Sequence, residues 1–267
     1  MIDFPCLDAL RQQRPLIHCL ANQVTANDCA NLALAVGASP IMAIAPEEIA
    51  EITAASRATV LNTGTPDGEK FRVSMRWGQA AAAAGQPIVL DPVGIGASRW
   101  RLQSVQALLH MFTPTILRVN LGEALALLQR LSGEQGVDSL TALTLEERAE
   151  AAKALARHRR TTVLLSGPVD VVSDGDACWT VSGGSDCAPA ITGTGCMLSV
   201  LCGAFAAVET RPAQAALLAS SFWKLCQQRA EQVAGGRGPG SFHTALFDAA
   251  GTLTASDLAA EAQIQLL

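Results

Sequence analysis

A glycine turn followed at once by a cysteine is the segment of this sequence best suited to chemistry. The segment ITGTGCMLSV places Gly193, Thr194, Gly195 and Cys196 directly before a long apolar run. If that run is a helix, its first backbone N–H groups point at one place, and the helix dipole adds partial positive charge there. We therefore predict an anion hole suited to a transferring phosphoryl group. The turn is not a P-loop, because the sequence contains no GxxxxGK[ST] motif.

The thiol at this turn has three interpretations. In the first, the helix dipole lowers the pKa of Cys196, which then accepts a proton from a substrate hydroxyl. Phosphoryl transfer through a loose transition state needs only a modest base. In the second, Cys196 is a small buried apolar residue, as is common in cores. In the third, Cys196 is a covalent nucleophile with His18 or His243 as its base, although no Cys/His family signature is present. Outside that third reading, His18 is expected to be a core histidine with its hydrogen bonds satisfied.

A second set of polar residues stands where buried strands are predicted to end. Ligands bind beyond the carboxyl ends of the strands in open parallel sheets. Two carboxylates, an arginine and a hydroxyl on one rim would suit Mg²⁺ and a polyphosphate. The arginine lies within an apolar strand, where burial without an anionic partner is costly, and this favours a phosphate beside it. The residues at these positions are Asn22, Asp91, Arg118, Asn120, Glu123 and Ser166.

The elements that must position these residues alternate between helices and short apolar strands. This alternation predicts a mostly parallel sheet with helices on both faces, a three-layer α/β/α architecture. One helix is expected from an N-cap at Thr25 to a glycine stop at Gly37. Another is expected to open at Pro46, and a capping box at Thr144 predicts a third that continues through His158.

The last third of the sequence changes character. The runs VDVVSDG and ACWTVSGG predict an antiparallel hairpin at the sheet edge. Beyond Gly195 the sequence predicts almost only helix, and residues 196–208 are apolar on all sides, which predicts a buried helix. We find no repeat, low-complexity tract or linker, so a single domain over residues 1–267 is expected.

Composition excludes several classes of function. Of the 267 residues, 49% are hydrophobic and 16% are charged, which excludes a disordered chain. A net charge of −5 without a basic run argues against nucleic acid and anionic membranes as partners. No apolar segment is long enough to cross a bilayer, and no secretory leader is recognised. The eight scattered cysteines show no CxxC spacing. They predict reduced thiols and a cytoplasmic location.

Several motifs together resemble one known family. The segments PLIHCLANQVTANDCANLALAVGASPIMAIAPEEI, LDPVGIGAS, LRVNLGEALAL, ITGTGCMLSVLCGAF and GRGPGSF are similar, in this order, to hydroxyethylthiazole kinases of the ribokinase-like superfamily. The resemblance covers nearly the whole chain. It implies a ribokinase-like α/β fold and Mg²⁺-dependent transfer of the ATP γ-phosphoryl group to hydroxyethylthiazole, for thiamine biosynthesis or salvage. It also implies a homotrimer with active sites at the subunit boundaries.

The resemblance assigns roles to individual residues. Asp91 and Glu123 are expected to organise Mg²⁺, and Cys196 stands where related kinases have an aspartate base. The expected contacts of the thiazole are Asn22, Met42 and Gly193, and those of the nucleotide phosphates are Arg118, Ser166, Thr194 and Gly195. Ser166 replaces a threonine that is common in the family, which keeps the hydroxyl. A catalytically silent ligand-binding member of the superfamily remains an alternative.

Overall fold

The computed structural model of this protein describes residues 2–132 and 143–267. Nine strands in the described ranges form one sheet in the order β2-β1-β3-β4-β5-β6-β7-β8-β9. The first six strands in that order pair in parallel, and the last three are antiparallel additions. The strands are β1 (Leu16–Leu20), β2 (Ser39–Ile41), β3 (Ala58–Asn62), β4 (Ile88–Asp91), β5 (Ile116–Asn120), β6 (Thr162–Ser166), β7 (Asp170–Ser173), β8 (Cys178–Ser182) and β9 (Gln263–Leu266).

Eleven helices in the described ranges connect and cover these strands. They are α1 (Cys6–Gln13), α2 (Ala26–Val36), α3 (Ile49–Ala55), α4 (Gly68–Ala83), α5 (Arg99–Met111), α6 (Leu121–Ser132), α7 (Leu145–Arg159), α8 (Thr194–Ala206), α9 (Pro212–Ala234), α10 (Pro239–Thr252) and α11 (Ala255–Glu261). Short 3₁₀ turns occupy Pro46–Glu48, Ile95–Ala97 and Ala188–Ala190.

Two hydrophobic cores lie on opposite faces of the sheet. One packs α1, α2 and α8–α11 against the sheet, and the other packs α3–α7 against the opposite face. Alternate residues of a strand serve alternate faces, as Ile116 and Leu117 of β5 do. Every residue of α8 from Cys196 to Ala206 is buried, which confirms the buried apolar helix. The three-layer α/β architecture is confirmed.

Local signals in the sequence placed several helix boundaries. Gly37 ends α2 with a left-handed φ of 111°, a conformation that glycine adopts without steric cost. Thr144 and Glu147 form the expected capping box at the start of α7. Thr25 is the N-cap residue of α2, but its side chain makes no capping hydrogen bond. The Asn22 side chain instead holds the turn before the helix, because its Oδ1 accepts from the backbone N–H of Thr25 at 3.0 Å.

Three expectations about chain geometry need correction. The helix predicted to open at Pro46 begins as a 3₁₀ turn, and the regular helix α3 starts at Ile49. The β7–β8 hairpin does not form the sheet edge, because β9 pairs with β8 outside it. The segment QIQL is a strand where only helix was expected after Gly195. Its alternation of polar and apolar residues is too short to distinguish from a helix end without the partner strand.

All eight cysteines lie in the described ranges, and each is a free thiol. Within those same ranges, no helix combines the length and the apolar character that crossing a membrane requires.

Candidate active site

Polar side chains gather at the carboxyl edge of the parallel strands. Asp91 ends β4 in register with Asn62 of β3, and Asn120 ends β5 in register with Ser166 of β6. Asn22 follows β1 by two residues. Because parallel strands share one direction, the sequence prediction that these residues share one rim of the sheet is confirmed.

Asp91 forms the buried centre of this rim. Its Oδ1 lies 3.2 Å from Nη1 of Arg118, and its Oδ2 accepts hydrogen bonds from Asn62 Nδ2 at 2.9 Å and Ser199 Oγ at 2.7 Å. The carboxylate has no solvent-exposed surface. Burial raises the pKa of Asp91, while the Arg118 charge and the hydrogen bonds oppose the rise. The anionic partner expected for Arg118 is therefore supplied first by the chain itself, through Asp91.

Glu123 adds a second buried carboxylate from the start of α6. Its Oε1 accepts from the backbone N–H of Gly94 and its Oε2 from that of Asn120, both at 2.9 Å. Burial raises the pKa of Glu123, and the nearby charge of Asp91 raises it further. The two acids are therefore close enough to repel each other, which is an arrangement that a cation would relieve.

The two carboxylates fit a site for Mg²⁺ that is completed by phosphate. Mg²⁺ commonly takes one or two carboxylates and completes its shell with water and substrate phosphates. Of the side chains that the structure describes, no three His, Cys, Asp or Glu residues group as a ready metal cage. This donor set suits a cation that arrives with a nucleotide rather than one held permanently by the protein.

A cleft of about 540 Å³ is lined by Arg118 and Asn120, the residues that bind Asp91 and Glu123 respectively. Its walls include four residues expected to contact nucleotide phosphates, namely Arg118, Ser166, Thr194 and Gly195. Arg118 Nη2 donates to Ser166 Oγ at 2.7 Å, so the guanidinium is fixed between Asp91 and the cleft. The Arg118 side chain thus links the buried acid to the cleft.

The predicted helix terminus is present at one wall of this cleft. Gly193 is the N-cap of α8 with a left-handed φ of 84°, and the helix begins at Thr194. No group in residues 2–132 or 143–267 accepts a hydrogen bond from the backbone N–H of Thr194, Gly195 or Cys196. A Cβ atom at position 195 would clash with Nη2 of Arg118, so glycine lets the guanidinium reach the helix terminus. Backbone amides and a guanidinium therefore meet at the place where the sequence predicts an anion hole.

Cys196 lies in the first turn of α8, but its predicted electrostatics were wrong. Burial raises the pKa of the Cys196 thiol, and the charge of Asp91 raises it further, although hydrogen bonds and Arg118 oppose the rise. Desolvation and the Asp91 charge thus act against the lowering of the pKa that the helix terminus suggested. The Nδ2 of Asn22 lies 3.2 Å from the Cys196 Sγ and donates to it.

Neither histidine of the covalent alternative contacts this thiol. His18 Nε2 bonds to the carbonyl oxygen of Ala43 at 2.9 Å, and its ring stacks on Trp77 with centroids 3.8 Å apart. His243 Nε2 lies 3.0 Å from Asp28 Oδ2. The expectation that His18 is fully satisfied was wrong, because its buried Nδ1 has no partner among the described residues. Burial lowers the pKa of His18 to about 4.

The three residues expected to contact the thiazole do not line the cleft. Asn22 is buried beside Cys196, and Gly193 directly precedes α8. Met42 follows β2 and is partly buried against the hydrophobic core that contains α8. A Cβ atom at position 193 would clash with the side chain of Thr25. Asn22 and Gly193 thus lie on the side of Cys196 where α2 begins, whereas Arg118 and Ser166 line the cleft.

Sequence reasoning missed several polar residues of the site. Asn62 ends a strand as Asp91 does, so the same signal would have found it. Ser199 follows Cys196 by three residues on α8, and only helical spacing indicates that it faces Asp91. Lys224 of α9 gave no signal, because it reaches the cleft wall from a distant helix. Its Nζ donates to the carbonyl of Gly167 at 2.7 Å and lies 3.3 Å from Asp170 Oδ1.

Comparison with known proteins gives one consistent result. The model of the hydroxyethylthiazole kinase family matches residues 7–256. The hydroxyethylthiazole kinase of Herpetosiphon aurantiacus is 44% identical over 248 residues, which is 93% of this chain and 90% of that protein. That of Listeria monocytogenes is 40% identical over 265 residues, 99% of this chain and 98% of that protein.

Solved structures agree with the sequence relatives. The structure of a hydroxyethylthiazole kinase protein from Pyrococcus horikoshii OT3 has a TM-score of 0.89 at 35% identity, and the match covers 99% of this chain and 98% of that one. The pyridoxal kinase from Staphylococcus aureus in complex with AMP-PCP has a TM-score of 0.61 at 15% identity, over 80% of this chain and 88% of that one. At that identity, the second likeness concerns the ribokinase-like fold alone.

Proposed function

The chain belongs to the hydroxyethylthiazole kinase family, and we propose that it transfers the γ-phosphoryl group of ATP to the primary hydroxyl of 4-methyl-5-(2-hydroxyethyl)thiazole. The product is the thiazole phosphate used in thiamine biosynthesis and salvage. One observation carries this proposal most directly. The free amides of α8 and the guanidinium of Arg118 meet at one wall of the cleft, next to a buried thiol.

Nucleotide binding is assigned to the cleft. Arg118 and the Ser166 hydroxyl supply donors for phosphate oxygens, and Thr194 and Gly195 supply backbone N–H groups. A cleft of about 540 Å³ falls in the size range of small-molecule and cofactor sites. These donors are held before substrate arrives, since Arg118 is fixed by Asp91, and they stabilise charge on the transferring group without reorganisation.

The acceptor alcohol is assigned to the opposite side of Cys196. Asn22, Gly193 and the backbone at Met42 would contact the thiazole there. Apolar side chains near these residues are exposed, with Val24 at 64% and Ile44 at 67%. We propose that a neighbouring subunit covers them in a homotrimer, which places each active site at a subunit boundary.

The transfer step follows from this arrangement. The acceptor hydroxyl oxygen forms a bond to the γ-phosphorus as the bond between that phosphorus and the β,γ-bridging oxygen breaks, and ADP leaves. The hydroxyl proton passes to the Cys196 thiolate, which becomes the thiol. Because burial raises the pKa of Cys196, the thiolate is the minor form at neutral pH. A loose transition state tolerates this, since little negative charge builds on the attacking oxygen before transfer is advanced.

Asp91 and Glu123 are the residues that would hold Mg²⁺ through their carboxylates. When bound, the ion would neutralise charge on the phosphate oxygens. Asp91 also keeps Arg118 extended toward the cleft, and Glu123 keeps the N-terminal turn of α6 in place through Asn120. We propose a single catalytic domain over residues 1–267, because all described strands join one sheet. A cytoplasmic location is consistent with the eight free thiols.

An acceptor panel tests the function directly. Purified protein is incubated with ATP and Mg²⁺ and with hydroxyethylthiazole, a hydroxymethylpyrimidine or a sugar alcohol, and ADP release is measured. The phosphorylated product is identified by mass spectrometry. We expect release with the thiazole and one phosphate added to it. Binding of the thiazole without ADP release would identify a silent ligand-binding protein instead.

Thiol modification distinguishes the covalent alternative. Iodoacetamide is applied with and without Mg²⁺ and ATP, and alkylation of Cys196 is followed by peptide mass spectrometry. For the proposed kinase, we expect bound nucleotide to slow alkylation of Cys196, because the γ-phosphate lies beside the first turn of α8. Alkylation at the same rate with and without nucleotide would favour the covalent mechanism.

A further inference from the structure

Lys70 is a charged residue at the site to which the mechanism above gives no role. It is the third residue of α4, and the N-cap residue Asp67 accepts from its backbone N–H at 2.7 Å. This first turn of α4 lies at the carboxyl edge of the sheet. The Lys70 ammonium reaches back and donates to the carbonyl oxygens of Ala21 at 3.0 Å and Gly64 at 2.6 Å.

These two carbonyls belong to the segments that follow β1 and β3. Ala21 directly precedes Asn22, and the Gly64 N–H donates to Asn62 Oδ1 at 2.8 Å. The two segments also meet each other, since Asn22 Nδ2 lies 3.3 Å from Asn62 Oδ1. One side chain, Lys70, therefore joins both segments.

The joined segments lead directly to the reacting groups. The Nδ2 of Asn22 donates to the Cys196 Sγ, and the Nδ2 of Asn62 donates to Asp91 Oδ2. Each amide is held on one edge by its own segment and points its other edge at the thiol or the acid. A displacement of either segment would therefore move a donor away from Cys196 or Asp91.

The charge of Lys70 also connects this residue with Cys196 and Asp91. Burial lowers the pKa of Lys70 to about 8, while Cys196 and Asp91 are near enough for their negative charges to oppose this shift. The cations that line the nucleotide cleft in the described ranges are Arg118 and Lys224. Lys70 does not line it, so its charge belongs to the acceptor side of Cys196.

We propose that Lys70 is a positioning residue for the acceptor alcohol, because its ammonium pins the Ala21 and Gly64 carbonyls and so fixes Asn22 against Cys196. The proposal rests on the kinase function proposed above. It assigns Lys70 to the alcohol subsite and not to the nucleotide, although both substrates meet beside the Cys196 thiol. The residue acts through Asn22 and Asn62 and needs no contact with substrate.

Three lysines in the chain provide a matched experiment. Lys70→Met removes the ammonium and keeps a similar length, and Lys70→Arg keeps charge and donors. Lys153→Met makes the first change on α7, where Lys153 pairs with Glu150. We expect Lys70→Met to lower kcat about tenfold or more and to raise KM for the thiazole, because small displacements of reacting groups cost that much. KM for ATP stays near the wild-type value. Lys70→Arg recovers part of the loss, and Lys153→Met matches wild type.

Labelling of the wild-type protein tests the same proposal without a variant that has to fold. Amines are acetylated at pH 8 with an N-hydroxysuccinimide ester, and each lysine peptide is quantified by mass spectrometry. We expect hydroxyethylthiazole to slow the acetylation of Lys70, while AMP-PCP leaves that rate unchanged and neither ligand affects Lys153.

The outcomes separate this inference from the proposed function. No ADP release by wild type with the thiazole refutes the kinase assignment. Normal wild-type turnover with an unaffected kcat and thiazole KM in a folded Lys70→Met variant refutes the role of Lys70. A rise in the ATP KM as large as that for the thiazole refutes its assignment to the alcohol subsite, as does protection of Lys70 by AMP-PCP alone.

Discussion

Arg118 Nη1 lies 3.2 Å from Asp91 Oδ1, and both side chains are buried at the carboxyl edge of neighbouring parallel strands. The pair connects the cleft with the buried polar groups around Asp91. Arg118 presents Nη2 to the nucleotide cleft through Ser166, while Asp91 accepts from Asn62 and Ser199 behind it. A buried ion pair of this kind stabilises little by itself, but it fixes the direction of the guanidinium.

Removal of the arginine tests this coupling. Arg118→Met leaves Asp91 buried without its cation, and we expect a loss of about 3–5 kcal/mol in the free energy of unfolding. Urea denaturation at pH 7 measures it. Arg72→Ala, which removes an ion pair on the exposed face of α4, serves as control and is expected to leave the midpoint unchanged. A stable Arg118→Met variant would mean that Asp91 takes up a proton at little cost.

Substitutions of Cys196 test the base. We expect Cys196→Ala to lower kcat about 10²-fold or more, which is the usual contribution of a general base. Cys196→Asp retains substantial activity, because Asn22 can donate to a carboxylate as it does to the sulfur. Steady-state kinetics on variants with wild-type circular dichroism measure both. An inactive but folded Cys196→Asp variant would argue for an obligatory sulfur and therefore for the covalent mechanism.

The pH dependence of kcat adds an independent test of the same base. The raised pKa of Cys196 leaves the thiolate scarce at neutral pH, so kcat is expected to rise with pH until Lys70, whose pKa is about 8, begins to lose its charge. In Cys196→Asp this rise disappears, because the carboxylate is already ionised. A wild-type kcat that stays flat between pH 6 and 7.5, where Lys70 is still charged and with chemistry rate-limiting, would exclude Cys196 as the base.

Substitution of Glu123 distinguishes a role in Mg²⁺ binding from a role in thiazole binding. Glu123→Gln removes the charge, and we expect the concentration of Mg²⁺ needed for half-maximal rate to rise about tenfold or more, because losing even a group that only orients metal ligands costs that much. Thiazole affinity, measured by calorimetry, should change little, because Glu123 lies beside Gly94 and Asn120 and away from Asn22. The control is Glu150→Gln on α7. Equal losses of thiazole binding and of Mg²⁺ dependence would place Glu123 in the alcohol subsite.

Gly195 tests the close approach of Arg118 to α8. In Gly195→Ala the new methyl group clashes with Nη2, and the guanidinium must leave the helix terminus. We expect KM for ATP to rise about tenfold or more, the loss of one to two charge-assisted hydrogen bonds. Gly240→Ala in α10, where a Cβ atom meets open space, is the matched control. Unchanged ATP kinetics in Gly195→Ala would remove Arg118 from the phosphate site.

The lowered pKa of His18 predicts how the free energy of unfolding changes as the pH falls. The pKa of His18 is lowered from 6.5 to about 4 by burial, so the unfolded chain binds a proton between these values and the folded protein does not. The stabilisation is complete above pH 6.5 and is lost as the pH falls toward 4, by about 2 kcal/mol between pH 7 and pH 5. His18→Gln keeps a donor for the Ala43 carbonyl and does not titrate. Urea denaturation midpoints of wild type and His18→Gln are measured at pH 7 and pH 5. An equal loss of stability in both proteins between these pH values would contradict the lowered pKa of His18.

The sequence by itself was sufficient for the features that depend on local pattern. The alternation of apolar strands with helices predicted a parallel sheet, and polar residues at strand ends predicted the rim that holds Asp91, Asn120 and Ser166. Gly37 and the capping box at Thr144 fixed helix ends, because caps act within one turn of the chain. The run of residues 196–208, apolar on all sides, likewise predicted that α8 is buried.

Tertiary structure decided what depends on neighbours that are distant in sequence. The dipole of α8 is a local property, but the pKa of Cys196 rises because the surrounding core removes water from the thiol. Lys70 and Lys224 reach the site across 49 and 57 residues, and no short pattern announces either contact. The partner of Arg118 is Asp91, 27 residues away. Desolvation and long-range pairing are set by which surfaces meet when the sheet is assembled, so they could not be derived from spacing alone.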